Sequence, residues 1–263
     1  MRTADVTTLG LLASLLLVVV AIAVSFTQRL GLERDVVWAT IRSLIQLLFV
    51  GAVLAFVIDP DQPIILSWAW VAAMVAFAGI VIKRRAPEIP TILPLGMAAI
   101  GAAAVVTLLV IFGLGVFPLE GRTLVPLAGM MIGNSMNATV LAARRVVDEF
   151  KDHRGEIEAR LALGQSSTEA VRGNLRSSLR TALTPQIETT KAVGLVFLPG
   201  AMTGLILAGV DPVEAVRVQA AIMYLILGSV ATTATVMTLG VGRRLFTPDQ
   251  RLMPLIRLPN SDR

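Results

Sequence analysis

The sequence predicts an all-α integral membrane protein with about seven transmembrane helices. Of 263 residues, 55% are hydrophobic and only 16% are charged, and the mean hydropathy is +0.77. An ordinary soluble domain carries about 25% charged residues. A helix needs roughly 20 mostly apolar residues to cross a hydrocarbon core of about 30 Å. Seven stretches meet or approach that length, at about residues 8–26, 36–58, 64–82, 93–112, 124–143, 193–208 and 213–239.

The first stretch has a second interpretation as a cleaved signal peptide. Ala21-Ile22-Ala23 is a small-x-small site that follows an apolar run. The run is long for a signal, and Asp5 offsets the charge of Arg2 ahead of it. We favour a membrane helix and keep cleavage as the alternative.

The distribution of basic residues predicts the orientation of the spans. If the first helix starts outside, nineteen of the 23 Lys and Arg residues fall on the inner side, including Lys83, Arg84 and Arg85 in a short loop. The outer loops at 59–63, 119–121 and 209–212 contain none. The positive-inside rule therefore predicts the N-terminus outside and the C-terminus inside, in the bacterial cytoplasmic membrane. The high pI of about 10.6 reflects these inner loops.

Composition and motifs argue against a chemistry carried out by this chain. There are no cysteines, so disulfides, iron–sulfur clusters and thiol catalysis are excluded. His153 is the single histidine, which excludes a multi-histidine metal site within one chain. No phosphate-binding loop and no basic patch with interleaved aromatic residues is present, so neither ATP hydrolysis nor nucleic-acid binding is supported. We expect no enzymatic activity and no cofactor bound by this chain.

One long loop separates the fifth and sixth predicted spans, at residues 144–192, within a single transmembrane domain covering 1–263. Gly164 is a predicted helix end, and Pro185 is predicted to interrupt or kink the helix that follows. The fifth span is predicted to continue straight into the cytoplasm, since nothing breaks the helix between Ala138 and Phe150. Apolar residues recur at helical spacing on both sides of Gly164, which predicts two amphipathic helices; they are Val146, Phe150, Ile157 and Leu161, then Val171, Leu175, Leu179, Leu183 and Ile187.

This helical hairpin has two interpretations. It could lie on anionic lipid through its arginines and apolar stripes. It could instead dock a cytoplasmic partner, because Glu158 and Ala159, followed by Leu161 and then Gly164, resemble the coupling loop of ABC-transporter permeases.

Longer blocks of the chain carry a family resemblance. They are GMMIGNSMN at 129–137, EARLALG at 158–164, Thr184-Pro185 and GLVFLPGAMTG at 194–204, with Arg42, Gln46-Leu47-Leu48 and Gly51 near the start. In these blocks the chain resembles the FetB-type (YbbM-type) permeases of iron-export ABC transporters, which have plant relatives linked to aluminium tolerance. Ala201 and Arg217 depart from the pattern, where Met and an aromatic residue are more usual.

The resemblance implies a permease that works as a homodimer in the lipid bilayer, beside a separate cytoplasmic ATPase that binds ATP and Mg²⁺. Coupling would run through Glu158, Ala159, Leu161 and Gly164, and the cargo would be a metal ion, iron by family resemblance. A carrier driven by an ion gradient is an alternative, but it would need carboxylates within the membrane as proton sites, and the spans contain none between their edges. A lipid-binding or scaffolding membrane protein is a further alternative.

Polar residues within the spans are candidates for the transport path, since polar groups in lipid are costly and often functional. Asn134 and Asn137 lie three apart on one helix face; they either join helices or line a path for a hydrated cation or polar solute. Gln46 either bonds another helix or lines the path. Met202 is the fourth candidate, because thioethers bind soft metals, although methionine also fills apolar helices. The sequence assigns no metal ligands.

The sixth predicted span contains a proline–glycine pair. Pro199 and Gly200 interrupt the apolar run, and Gly200 and Gly204 would allow close helix approach. We predict a hinge there. Glu188 and Lys191, three apart at the inner start of the same span, are predicted to form an ion pair along the helix.

Overall fold

The fold was analysed in a computed structural model that describes residues 8–89, 91–194 and 198–254. This part of the chain forms ten α-helices and no named strand. The helices are α1 (Thr8–Thr27), α2 (Glu33–Val57), α3 (Ile64–Arg85), α4 (Ile92–Gly113), α5 (Gly121–Asp152), α6 (Arg154–Ala162), α7 (Ser167–Ala170), α8 (Arg172–Ala192), α9 (Gly200–Leu207) and α10 (Pro212–Arg244).

Six of these helices, among the described residues, are long and apolar enough to cross a membrane: α1, α2, α3, α4, α5 and α10. The all-helical membrane fold is therefore confirmed, with one fewer continuous span than predicted. The fifth span does continue as one helix, because α5 runs 32 residues from Gly121 to Asp152. At 1.5 Å per residue it is about 48 Å long, well beyond the hydrocarbon core.

The predicted sixth span, 193–208, is not one continuous helix. Helix α8 ends at Ala192, and Gly194 has a φ of 94°, which an α-helix cannot contain. Residues 195–197 lie outside the described residues. Helix α9 then covers only eight residues, or about 12 Å, which is too short to cross the hydrocarbon core. The turn at Gly194 and the Pro199 start of α9 explain the break.

Pro185 does not interrupt α8, so this half of the prediction is wrong, while a kink there stays a prediction. The helix continues seven residues beyond it to Ala192. A proline in a helix interior removes one backbone hydrogen bond. Here α8 packs against both α5 and α10, and this packing holds the helix together through the proline.

The core lies where α10 packs against α4, α5 and α8, and where α3 packs against α4 and α5. Glycines permit the closest approaches. A Cβ at Gly240 would lie 2.5 Å from Leu95 Cδ1, and one at Gly242 would lie 2.7 Å from Leu175 Cδ2. Large side chains of the core are fully buried, among them Phe150, Ile82, Ile100, Leu124, Met131 and Met237.

Helices α1 and α2 form a hairpin at the side of this core. The Ser25 hydroxyl donates to Glu33 Oε1 at 2.7 Å and fixes the turn between them. Helix α2 meets α3 where Ser67 donates to the Val57 carbonyl. Most apolar side chains of α1 and α2 are exposed, as expected of helices that face lipid or another protein.

Candidate functional site

Basic residues from three helices meet at one end of the bundle. Arg144 of α5 donates to the backbone carbonyl of Arg85 at the end of α3, and it lies 3.9 Å from Glu88. Arg244, the last residue of α10, donates to the carbonyl and hydroxyl oxygens of Thr91 just before α4. The described residues thus place the arginine-rich ends of α3, α5 and α10 together, as the orientation prediction requires; which side of the membrane they occupy stays a prediction.

Helices α6 and α7, which follow α5, form a corner. Ile157 is fully buried and anchors α6. Leu163 caps α6, and Gly164, with a φ of 88°, reverses the chain, which confirms the predicted helix end. The Arg160 guanidinium donates to the Ala170 carbonyl at 2.8 Å and closes the corner.

A capping box makes the start of α7 rigid. The Ser166 hydroxyl accepts the Glu169 backbone N–H, and the Glu169 carboxylate accepts from the Ser166 hydroxyl at 2.7 Å and from its backbone N–H at 3.1 Å. The Ser166 hydroxyl and then its backbone N–H hold the pKa of Glu169 below its usual value. The carboxylate is therefore ionised, and the cap intact, at neutral pH.

The predicted coupling residues all lie at this corner. Glu158, Ala159 and Gly164 are exposed, and Leu161 is half-buried against the core. Glu158 forms an ion pair with Arg154 at 2.8 Å. Leu163 is 83% exposed, more than any other large hydrophobic residue described. It lies in the 158–164 block that carries the family resemblance, but it was not predicted as a coupling residue. Its position directly before the helix-ending glycine was the available signal.

The segment that follows α10 packs against the corner. After α10, Phe246 pairs with Leu252 in an isolated antiparallel bridge, and Phe246 packs edge-on against Phe150 with ring centres 6.0 Å apart. Gln250 Oε1 accepts the Ser167 N–H at 2.9 Å. A groove of about 730 Å³ opens between this segment and the corner, with carboxylates of Glu158, Glu169 and Asp249 along it.

A second, smaller cavity of about 240 Å³ lies between α5, α8 and α10. It combines amide and hydroxyl groups with apolar side chains, and no charged residue lines it. The lining residues are Asn134, Asn137, Ala138, Leu141, Ala182, Pro185, Gln186, Thr189 and Val230. The two predicted asparagines are therefore brought together with polar residues of α8.

The two asparagines have different partners. The Asn137 amide oxygen accepts a hydrogen bond from the Arg85 guanidinium at 2.8 Å, which joins α5 to α3. The Asn134 amide donates to the Met130 carbonyl of its own helix at 2.7 Å. Asn137 thus connects helices while it lines the cavity, whereas the hydrogen bond of Asn134 stays within α5.

The start of α9 is held by a residue that sequence reasoning missed. Gln219 of α10 is 4% exposed, and its side-chain oxygen accepts the Met202 backbone N–H at 3.2 Å. This N–H is one of the first four of α9, which have no partner within the helix. A glutamine in an otherwise apolar helix was the signal that could have identified it.

The structure places the other candidate residues away from this cavity, and the role of Gln46 and Met202 in the transport path stays a prediction. Gln46 lies on an exposed part of α2, away from the residues that line the asparagine cavity. Met202 is half-buried on α9 and also does not line that cavity. Close helix approach at Gly200 and Gly204 is wrong within one chain, because a Cβ at either would meet no atom within 4 Å. The hinge at Pro199 stays a prediction.

No group of three or more His, Asp or Glu side chains suited to a metal ion occurs among the described residues.

The ion pair predicted along the start of the sixth span is confirmed, with Lys191 Nζ 2.9 Å from Glu188 Oε1.

Comparison with known proteins identifies the family of this chain. Residues 8–246 match the model of the uncharacterised protein family UPF0014. The chain belongs to this family. No solved structure matches it.

Three curated UPF0014 relatives cover most of the chain. The UPF0014 membrane protein STAR2 of rice is 37% identical over 86% of this chain and 79% of its own length. The UPF0014 membrane protein YjkA of Bacillus subtilis is 34% identical over 93% and 97%. The "Probable iron export permease protein FetB" of Escherichia coli is 33% identical over 94% of each chain. The predicted family and the predicted localisation, a multi-pass protein of the bacterial inner membrane, are confirmed.

Proposed function

We propose that this UPF0014 protein is the permease subunit of an ABC exporter, driven by a separate cytoplasmic ATPase that docks on the α6–α7 corner. The observation that carries the proposal is Leu163, an apolar side chain 83% exposed on the rigid corner that follows α5. A partner's pocket that buries this side chain would remove apolar surface from water and so stabilise the complex. The coupling-type residues Glu158 and Gly164 lie beside it.

The construction of the corner supports a mechanical role. The Arg160–Ala170 hydrogen bond, the capping box and the Gln250 contact fix its shape. Helix α5 continues from the corner's base into the membrane without a break as far as Asn137 and Asn134. Movement imposed on the corner by a closing ATPase dimer would therefore reach the cavity through one rigid element, shifting the permease between inward and outward openings.

We propose that the cargo is a metal ion that keeps its coordinated water or a bound chelator. The FetB name and the amide and hydroxyl groups of the cavity both favour this cargo. Amide and hydroxyl oxygens at Asn134, Asn137 and Thr189 can hydrogen-bond to coordinated water. Two copies of the chain would form the path, and ATP with Mg²⁺ would be bound by the partner subunit.

Co-purification tests this proposal with a matched pair of leucines. Leu163 caps α6, and Leu114, 77% exposed, caps α4 at the opposite end of the bundle. Burying a leucine contributes about 1.5–3 kcal/mol, so Leu163→Ser should weaken ATPase binding about tenfold or more, whereas Leu114→Ser should retain it.

The assay is mild detergent extraction from native membranes, followed by measurement of bound protein and ATP hydrolysis. Glu158→Lys combined with Gly164→Pro should abolish recovery of the ATPase. If wild-type protein recovers no ATPase under conditions that preserve other ABC complexes, the proposal fails, and the lipid-facing hairpin becomes the better interpretation.

A further inference from the structure

The Glu188–Lys191 pair lies level with the middle of the apolar stretch of α5, which is deeper than the inner start of a span where the sequence predicts it. Helix α8 runs antiparallel to α5, and Thr189 lines the same cavity as Asn134. Asn134 is ten residues from Arg144, or about 15 Å along α5, which is the middle of the apolar stretch 124–143. Glu188 and Lys191 flank Thr189 in sequence. Both therefore lie at the level where a bilayer is most apolar.

The pair is also uncovered. Lys191 and Glu188 have side chains 66% and 61% exposed. Arg180, Thr184 and Ile187, on the same side of α8, are exposed as well. The opposite side, with Ala182 and Gln186, faces α5 and α10. We call the exposed side, residues 180, 184, 187, 188 and 191, the outer face of α8.

This outer face cannot stay against lipid. Charged side chains at mid-membrane depth are costly and face a bundle interior or a water-filled cavity. Among the described helices, α8 packs against α5, α10 and α7, and residues 180, 184, 187, 188 and 191 remain exposed. The outer face therefore needs a cover from outside the single chain.

A second copy of the same chain fits this face by symmetry. Across a two-fold axis, the same patch meets itself, so that residue i contacts residue j and residue j contacts residue i. When two neighbouring residues carry opposite charges, each can therefore pair with the oppositely charged residue of the second copy. Glu188 and Lys191 are such a pair.

Resting on the proposed function, we infer that two copies meet at the outer face of α8, with Glu188 of each opposite Lys191 of the other, beside the transport path. Each carboxylate then has two alternative partners, Lys191 of its own helix or of the second copy. Separation of the two α8 helices leaves no charge unpaired, which permits the interface to open during transport.

Disulfide cross-linking tests the interface, and the natural chain contains no cysteine that could interfere. Ile187→Cys should form cross-linked dimers when native membranes are oxidised. Leu109→Cys, on α4 and 67% exposed, is the matched control and should remain monomeric. Absence of dimers at position 187, or equal cross-linking at both positions, would overturn the proposal.

Charge variants then separate pairing between copies from pairing within a helix. With Ile187→Cys as reporter, Glu188→Lys or Lys191→Glu alone puts like charges on both copies and should reduce cross-linking at least tenfold. Co-expression of the two differently tagged variants places an all-positive face against an all-negative face, and mixed dimers should return to the level of the unsubstituted pair.

Pairing only within one helix predicts no such recovery, because each variant still carries two like charges on its own α8. Mixed dimers no more abundant than the two homodimers would overturn the inference. Cross-linking is read without the ATPase, so its failure and the failure of ATPase co-purification are distinguishable.

Discussion

Gln219 offers the most precise test of how α9 is held in the membrane. Its side-chain oxygen is the acceptor that the structure provides for the Met202 N–H, and Gln219 itself is buried. Gln219→Leu keeps a similar volume but removes that acceptor. Without this acceptor, the Met202 N–H would be left unpaired beside a buried side chain, at a cost of about 1–3 kcal/mol.

This cost should appear as local opening of α9, not as global unfolding. With 1.36 kcal/mol for each factor of ten, the open population of α9 should rise about five- to 150-fold. Hydrogen–deuterium exchange measured by mass spectrometry on peptides covering Gly200–Leu207 would report this rise. Exchange in α5 should not change.

Gln46→Leu is the matched control, because Gln46 lies in another apolar helix and is exposed. It should leave exchange in α9 unchanged. Equal exchange in wild type and Gln219→Leu would refute the reasoning, as would an equal increase in both variants.

Two further predictions concern packing and the corner. Gly240→Val should lower the melting temperature, because the added side chain overpacks against Leu95 at a cost of about 1–3 kcal/mol. Gly101→Val is the control and should leave the melting temperature unchanged, since a Cβ there meets no atom within 4 Å. Equal melting temperatures of the two variants would contradict the packing described. Ser166→Ala should speed proteolysis at the corner about fivefold at pH 7. Because the pKa of Glu169 is lowered in the folded chain, the cap's contribution is present above the usual glutamate pKa and is lost as the pH falls through the lowered pKa. The difference between wild type and Ser166→Ala should therefore shrink in strongly acidic buffer, where the Ser166 hydroxyl still accepts the Glu169 N–H, and a constant difference would contradict the assignment.

Hydrophobic periodicity and helix-ending residues predicted the long elements well. The continuation of α5 into the corner followed from the absence of any breaking residue after Ala138, and the end of α6 followed from Gly164. The i,i+3 pair on α8 was also readable from spacing alone. These features depend on local sequence, which is why local rules find them.

Features that depend on tertiary packing were harder to predict. The sixth span has the composition of a membrane helix, yet a glycine with positive φ divides it, and hydropathy does not report backbone conformation. Conversely, Pro185 lies inside an unbroken α8 because neighbouring helices hold both sides. Gln219 was missed because its role requires α9 to turn back against α10, which is a contact that no spacing rule describes.

Site-directed photo-cross-linking in native membranes tests the central claim most directly. A photoreactive amino acid at position 163 should cross-link to a cytoplasmic protein that also labels with an ATP analogue, and the same probe at position 114 should not. Cross-linking of position 163 to lipid alone, or to no nucleotide-binding protein, would contradict an ATPase-driven permease coupled through the α6–α7 corner.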